Sequence, residues 1–124
     1  MQFEDFLSNG FVSNAYIEDL PEWNSLYVRK GNICIVLDIE GQKKFYQVSR
    51  VFTFANIEAA VTGIGTYTAL VNRLIADDWA IYVECVHNAR FAESLRKREY
   101  MEIKCEGVPS FLFNFRDHLT LMED

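Results

Sequence analysis

Between Val51 and Val86 the hydrophobic period of the chain changes twice, and this constrains the fold more than any other feature. "VFTFANIE" reads as a strand, and "TYTALVNRLIAD" sets Tyr67, Leu70, Val71, Leu74 and Ile75 at helical spacing. "AIYVECV" is then a short, nearly continuous apolar run bounded by polar residues, the pattern of a strand buried on both faces. Strand, helix and strand in succession join a parallel pair, because a parallel neighbour is reached only by a crossover. The periods predict a helix over 66–77 and a parallel strand over 80–86.

The flanks read differently. Phe3, Phe6, Leu7 and Phe11 form one apolar face of a short helix, with Gly10 placed to end it. Residues 12–24, with Pro21, read as a connector containing a helical turn. "SLYVRK" and "ICIVLDI" are rich in β-branched and aromatic residues. Gly31-Asn32 between them reads as a tight hairpin turn, and "EGQKK" as the next turn. Three antiparallel strands over 25–58 follow, the last of them with a bulge. Beyond the parallel strand, "NARFAESLRKRE" is helical over 89–98. Asn88 is its N-cap, and Lys97 and Arg98 lie in the last turn, where cations suit the helix dipole. "YMEIKC" and "FLFNFRD" close the chain as an antiparallel hairpin around "EGVPS". The expected class is α/β with a mixed sheet, in one domain spanning 1–124.

Composition narrows the function. Half of the 124 residues are hydrophobic and 15% are aromatic, which excludes a disordered chain. Charged residues interrupt every apolar stretch and the first ten residues lack a basic region, so a cytoplasmic protein without a membrane span is expected. Cys34, Cys85 and Cys105 are too few for a disulfide scaffold and form no CxxC pair, so no metal site is expected. Each lies in an apolar run and is read as a reduced core residue. A net charge of −6 and a pI near 4.9 disfavour a duplex DNA binder and are compatible with a cationic substrate such as an amine.

The turn between the central strand and the helix, "TGIGT", carries Gly63 and Gly65. A glycine-bearing strand–helix turn presents free backbone N–H groups at the positive end of a helix, and two missing Cβ atoms let a diphosphate approach. Tight packing alone also accounts for two glycines. No Lys-Ser/Thr follows, which excludes a P-loop, and the third glycine of a dinucleotide fingerprint is missing.

Taken together, "FTFANIEA", "VTGIGTYTALV", "IYVECV" and "HNARFAESLRKREY" resemble the GNAT superfamily of acyl-CoA-dependent N-acyltransferases. The likeness covers about fifty residues, and it rests on the order and spacing of these segments. It implies a compact GNAT-like fold with a shortened N-terminal part. It also implies acetyl-CoA or a related acyl-CoA as cofactor, and transfer of the acyl group to a small-molecule or protein amine. By the same resemblance the amides of Gly63, Ile64, Gly65 and Thr66 hold the pyrophosphate. Residues 55–58, with Asn56 and Ile57, line the pantetheine arm, and Asn88 contacts it. Three positions depart from the family. Ala60 replaces a Gln or Arg, Leu95 stands near the usual tyrosine acid, and Glu99 replaces a glycine. They favour an alternative reading, a GNAT-fold interaction module that has lost catalysis; an unrelated α/β structural protein is a third. The oligomeric state stays open, a homodimer included.

Transfer to an amine needs a base or a water relay. Glu58, at the carboxyl end of the central strand, is the first candidate; an exposed strand-end carboxylate is its plain alternative. Glu84 faces either the opening between strands or a basic partner on the sheet. His87, just past the parallel strand, is the third candidate. Tyr67 and Tyr82 are read as packing residues.

Overall fold

The computed structural model describes residues 1–10, 14–105 and 107–122, with Cys105 described by its backbone only. Its elements are α1 (Phe3–Ser8), β1 (Ala15–Tyr16), β2 (Trp23–Ile39), β3 (Gln42–Ala59), α2 (Thr66–Ala76), β4 (Ala80–Val83), α3 (Ala89–Lys97), β5 (Met101–Cys105), β6 (Val108–Phe113) and β7 (Leu119–Leu121). A 3-10 turn, Arg116–His118, precedes β7. The strands form one seven-stranded mixed sheet in the order β1-β2-β3-β4-β6-β5, with β7 paired to β3.

The β3–α2–β4 unit carries the parallel pair that the sequence demands, with Val51 opposite Ala80 and Phe54 opposite Val83. β4 is shorter than expected. Its pairing extends by one backbone bond, from the Glu84 amide to the Phe54 carbonyl (3.1 Å), and Cys85 then turns to φ +51. The helices lie where the periods place them. Asn88 caps α3 through its side-chain oxygen, which accepts from the Phe91 amide at 3.0 Å.

The expected turn at Gly31-Asn32 is absent. β2 runs unbroken for 17 residues, and the register shifts between Gly31 and Ile33, so the pair is a bulge inside a strand. A two-residue hairpin turn of the favoured type needs positive φ at both central residues. Glu40 and Gly41 meet that need, at +53 and +81, whereas of the earlier pair only Gly31 does, at +132. The three expected strands are therefore one long hairpin, closed by Ile39 opposite Gln42. The connector holds the two-residue strand β1 in place of a helical turn. Val108–Ser110, read as part of a turn, belongs to β6. Phe11 lies outside the described residues, and α1 ends at Ser8, with Asn9 as its C-cap.

Two apolar clusters hold the sheet. Ile81 and Val83 of β4 fall in one, Ala80 and Tyr82 in the other, so the clusters occupy opposite faces. The first takes the buried residues of all three helices. Phe52, fully buried, has Phe3, Phe6, Phe54 and Trp79 around its ring. The second holds Leu37 and Val48, from the far half of the hairpin, with Leu112 and Phe115. Cys34 and Cys85 are exposed, against the expectation of core thiols. Cys34 alternates with half-buried Ile33 and Ile35 and falls on the outward side of the arm, and Cys85 sits in the turn after β4; Cys105's side chain lies outside the described set. No described helix is long and apolar enough to cross a membrane.

One polar group in the core ties α1 to the sheet. Lys30 of β2 is only 6% exposed, and its ammonium donates to the carbonyls of Leu7 (3.3 Å) and Asn9 while standing over the Phe6 ring. Burial lowers its pKa, yet the end of a helix supplies the acceptors that a buried cation requires. Lys30→Met keeps the aliphatic stem and removes the donor. Urea unfolding should show a loss of about 1–3 kcal/mol, and amide exchange should rise selectively over α1.

Candidate functional site

Where β3 leaves β4, the sheet opens. Beyond Phe54, β3 stays paired to β2 through Tyr27↔Asn56, Leu26↔Ile57 and Ser25↔Glu58 as far as Trp23↔Ala59. Among the described residues no strand pairs its other edge over 55–59. Residues 60–65 then turn back toward α2, anchored by a bond from the Ala60 amide to the Glu22 carbonyl (2.8 Å).

Gly63 and Gly65 adopt φ +79 and +81, the left-handed region that glycine enters without strain, and open space surrounds the Cβ position at both. Gly65 is the N-cap of α2 and its carbonyl starts the helix by accepting from Ala69 (2.9 Å). No side chain caps this terminus. The first amides of α2 thus have no intrahelical acceptor, and the positive end of the helix dipole lies beside them.

A groove of about 600 Å³ lies at this terminus, between the end of β3, the turn and α3. Of the residues expected at the site, Ile57, Glu58, Gly63, Gly65, Thr66 and Asn88 line it. Asn56, Ile64, Glu84 and His87 are not among its lining. Asn56 is exposed opposite Tyr27, and Ile64 is 68% exposed on the turn. Glu84 takes the second of its two readings: Arg29 Nη1 donates to its Oε2 at 3.0 Å, and Arg29 Nε also donates to Asn14. His87 is exposed in the segment between β4 and α3. Glu58 accepts from Asn24 Nδ2 at 3.1 Å across the β2–β3 pair.

Residues that sequence reasoning assigned elsewhere or passed over complete the groove. Arg90, Ser94 and Arg98 line it at successive i+4 steps, one stripe along α3. Arg98 Nη1 donates to Thr68 Oγ1 at 2.6 Å, which fixes a guanidinium beside the first turn of α2. The i+4 spacing was present in "ARFAESLRKR", but helical position alone does not say that this stripe faces another helix's N-terminus. Arg98 was assigned only to its own helix dipole. Tyr67 also lines the groove, against the edge of Phe91, and its hydroxyl meets that of Tyr100 at 2.9 Å. Burial first, then the neighbouring phenol, holds the Tyr67 pKa well above the ordinary tyrosine value, and burial also raises that of Tyr100. Both hydroxyls are therefore proton donors throughout the neutral range.

Chemically, the groove offers backbone amides and the Arg98 guanidinium beside the first turn of α2, a second guanidinium, Arg90, two turns away along α3, the β3 end with no described strand on its other edge, and the Glu58 carboxylate. That set suits a ligand with phosphate groups and an extended, amide-bearing chain. Among the described residues no group of three or more His, Cys, Asp and Glu is placed to hold a metal ion.

The tyrosine pair gives a pH signature. A phenol whose folded pKa lies above its unfolded value favours the folded chain at neutral pH, and this contribution is lost as pH rises from about 10 toward the folded pKa. Tyr67→Phe should cost about 0.5–1.5 kcal/mol at pH 7 and should flatten the alkaline fall in melting temperature above about pH 10. An alkaline limb as steep as that of the unmodified chain would assign it to other groups.

Compared with known proteins, the chain matches no family model, no curated protein and no solved structure.

Proposed function

We propose that the chain binds acetyl-CoA or a related acyl-CoA in the groove beside α2 and transfers its acyl group to an amine, in the manner of the GNAT enzymes that residues 51–100 resemble. One observation carries this reading. The uncapped N-terminus of α2, opened by Gly63 and Gly65, is contiguous with a β3 edge that no described strand pairs. The first receives a pyrophosphate through backbone N–H groups. The second offers an extended amide chain the same ladder of bonds a neighbouring strand would make.

In this reading Arg98, held by Thr68, supplies positive charge to the phosphate end, where a chain of net charge −6 would otherwise repel an anion, and Arg90 adds charge farther along the groove. Asn88 spends its carboxamide oxygen on capping α3 and keeps its N–H groups for the cofactor arm. Glu58 is the base, directly or through a water, because it is the one of the three proposed bases that lines the groove. Tyr67, which lines the groove, in this reading returns a proton to the leaving thiolate, a role open to a phenol that stays protonated. The acceptor is a small-molecule or protein amine.

A second reading, a module of this fold that binds without turnover, is favoured by one observation. Leu95, near the position where the family has its tyrosine acid, is fully buried in the first apolar cluster.

Acetyl-CoA at 100 times its dissociation constant should stabilise the chain by about 2.7 kcal/mol, and calorimetry should give one site per chain. Gly65→Asn tests the phosphate turn, since Asn tolerates positive φ better than a branched residue does and introduces a side chain where the Cβ space is now open. Its affinity for acetyl-CoA should fall at least about tenfold, while folding stability changes by less than about 1 kcal/mol. An unchanged affinity in this folded variant removes the assignment.

Glu58→Gln keeps the shape and removes the proton acceptor. The acyl-transfer rate should fall about 10²–10⁴-fold with cofactor affinity unaltered. Bound acetyl-CoA without acylation of any amine tested would leave the binding module as the better account.

A further inference from the structure

The sheet ends at β5, whose outer edge carries no strand among the described residues. β1, at the opposite edge, is two residues long, whereas β5 offers five residues to a partner. Which of its backbone groups point outward follows from Pro109. The Pro109 carbonyl accepts from the Val86 amide at 2.8 Å, on the β4 side of β6. Pro109 therefore turns away from β5, and as a proline it has no N–H to donate in either direction. It stands opposite Lys104 in the β5–β6 register, so Lys104 and Pro109 are a pair that exchanges no backbone bonds. The amide and carbonyl of Lys104, and by alternation those of Glu102, face out from the sheet.

These two residues carry opposite charge on the same face of the strand. A two-fold symmetric antiparallel partner must bond outward-facing residues to outward-facing residues. Three registers are nearest to hand. Centring the axis on Glu102 opposes two carboxylates, and centring it on Lys104 opposes two ammonium groups. Centring it on Ile103 sets Glu102 against Lys104 twice, with both backbone groups of each in bonding position. Like charges directly opposite destabilise a strand pair and unlike charges stabilise it, so one register is selected. A lone lysine on an edge strand guards against pairing. A glutamate two residues away, on the same face and with the same outward backbone, turns that guard into a selector for a second copy of the same strand.

The other face of β5 agrees. Met101 and Ile103 are partly buried members of the second apolar cluster. In the same register Ile103 meets its own copy in the close, non-bonded position, where side chains approach most nearly, so the cluster continues across the axis. Glu102 already accepts from Arg96 of α3 at 2.7 Å, which fixes its carboxylate on the helix-bearing face, where Lys104 of a second copy would arrive.

We propose that two copies of this chain associate through β5 in an antiparallel, two-fold pair centred on Ile103, joining their sheets into one. The pairing is independent of any ligand in the groove.

Sedimentation equilibrium over a range of concentrations should show a monomer–dimer equilibrium for the full chain. Lys104→Glu, at an exposed side chain, should weaken association about tenfold or more by setting carboxylates opposite each other. Glu102→Lys combined with Lys104→Glu reverses both signs and should restore it, which a merely structural effect of either substitution would not do. In the unmodified chain, the amides of Glu102 and Lys104 should exchange slowly at concentrations that favour the dimer and rapidly in the monomer. A chain that stays monomeric throughout overturns the proposal. So does a dimer whose association is unchanged by Lys104→Glu, or one in which the double reversal fails to restore it while melting normally.

Discussion

Strand β3 has two edges, and the way they are shared sets the rest of the molecule. One edge belongs to β2 along nearly the whole strand, from Gln42 to Ala59. The other is divided: β7 takes 46–48, β4 takes 51–54, and no described strand takes 55–59. Backbone N–H and C=O groups need partners wherever water is excluded, so each division has a structural consequence. Arg50, at φ +53, falls at the boundary between the β7 and β4 segments, and the guanidinium stacks on Trp79 while donating to the Asp77 carbonyl. The unpaired end coincides with the turn that feeds α2. The groove is thus a product of sheet topology, in the place outside the carboxyl ends of parallel strands where open α/β sheets commonly bind ligands.

The charge of the groove differs in sign from that of the chain. Twelve basic residues against eighteen acidic ones give −6 overall, yet Arg90 and Arg98 line the groove and Arg98 lies beside the uncapped first turn of α2. Aromatic packing keeps them there. Tyr67, Phe54 and Phe91 form one edge-and-tilt chain from the sheet to α3, and Tyr100 closes it by stacking on Phe113 and bonding to Tyr67. Because these rings join the first cluster, α2 and α3 are packed against one core and not held by the single Arg98–Thr68 bond alone. Surface charge pairs contribute little to stability, but charges held at fixed positions act on a ligand that water no longer screens.

Much of this was legible in the residues. The nearly continuous apolar run "AIYVECV", following the 3.6-residue period of "TYTALVNRLIAD", pointed to a parallel pair, because a parallel neighbour is reached by a crossover of this kind. Asn88 was readable as a cap, and Gly63 and Gly65 as a glycine-bearing strand–helix turn, since such features are set within a few residues. Ile57, Glu58, Thr66 and Asn88 came together in the groove because they follow directly from the ends of those same elements.

The failures share one cause, which is that they turned on partners far away in the chain. Gly31-Asn32 has the composition of a hairpin turn, but β3 offers a continuous partner from Val51 back to Gln42, and the longer ladder of backbone bonds makes the pair a bulge. Cys34 and Cys85 lie in apolar runs, but the face each presents depends on where a bulge or a positive φ resets the alternation. Glu84 is bound by Arg29, 55 residues earlier in sequence, and Arg98 by Thr68, 30 residues earlier. The sequence by itself determined α2, α3, the parallel crossover and the glycine turn, because local periodicity and backbone sterics suffice for these. Only the tertiary structure decided which side chains meet in the groove, which of the candidate carboxylates lines it, and which backbone groups of β5 face outward, because these follow from register and packing between residues remote in the chain.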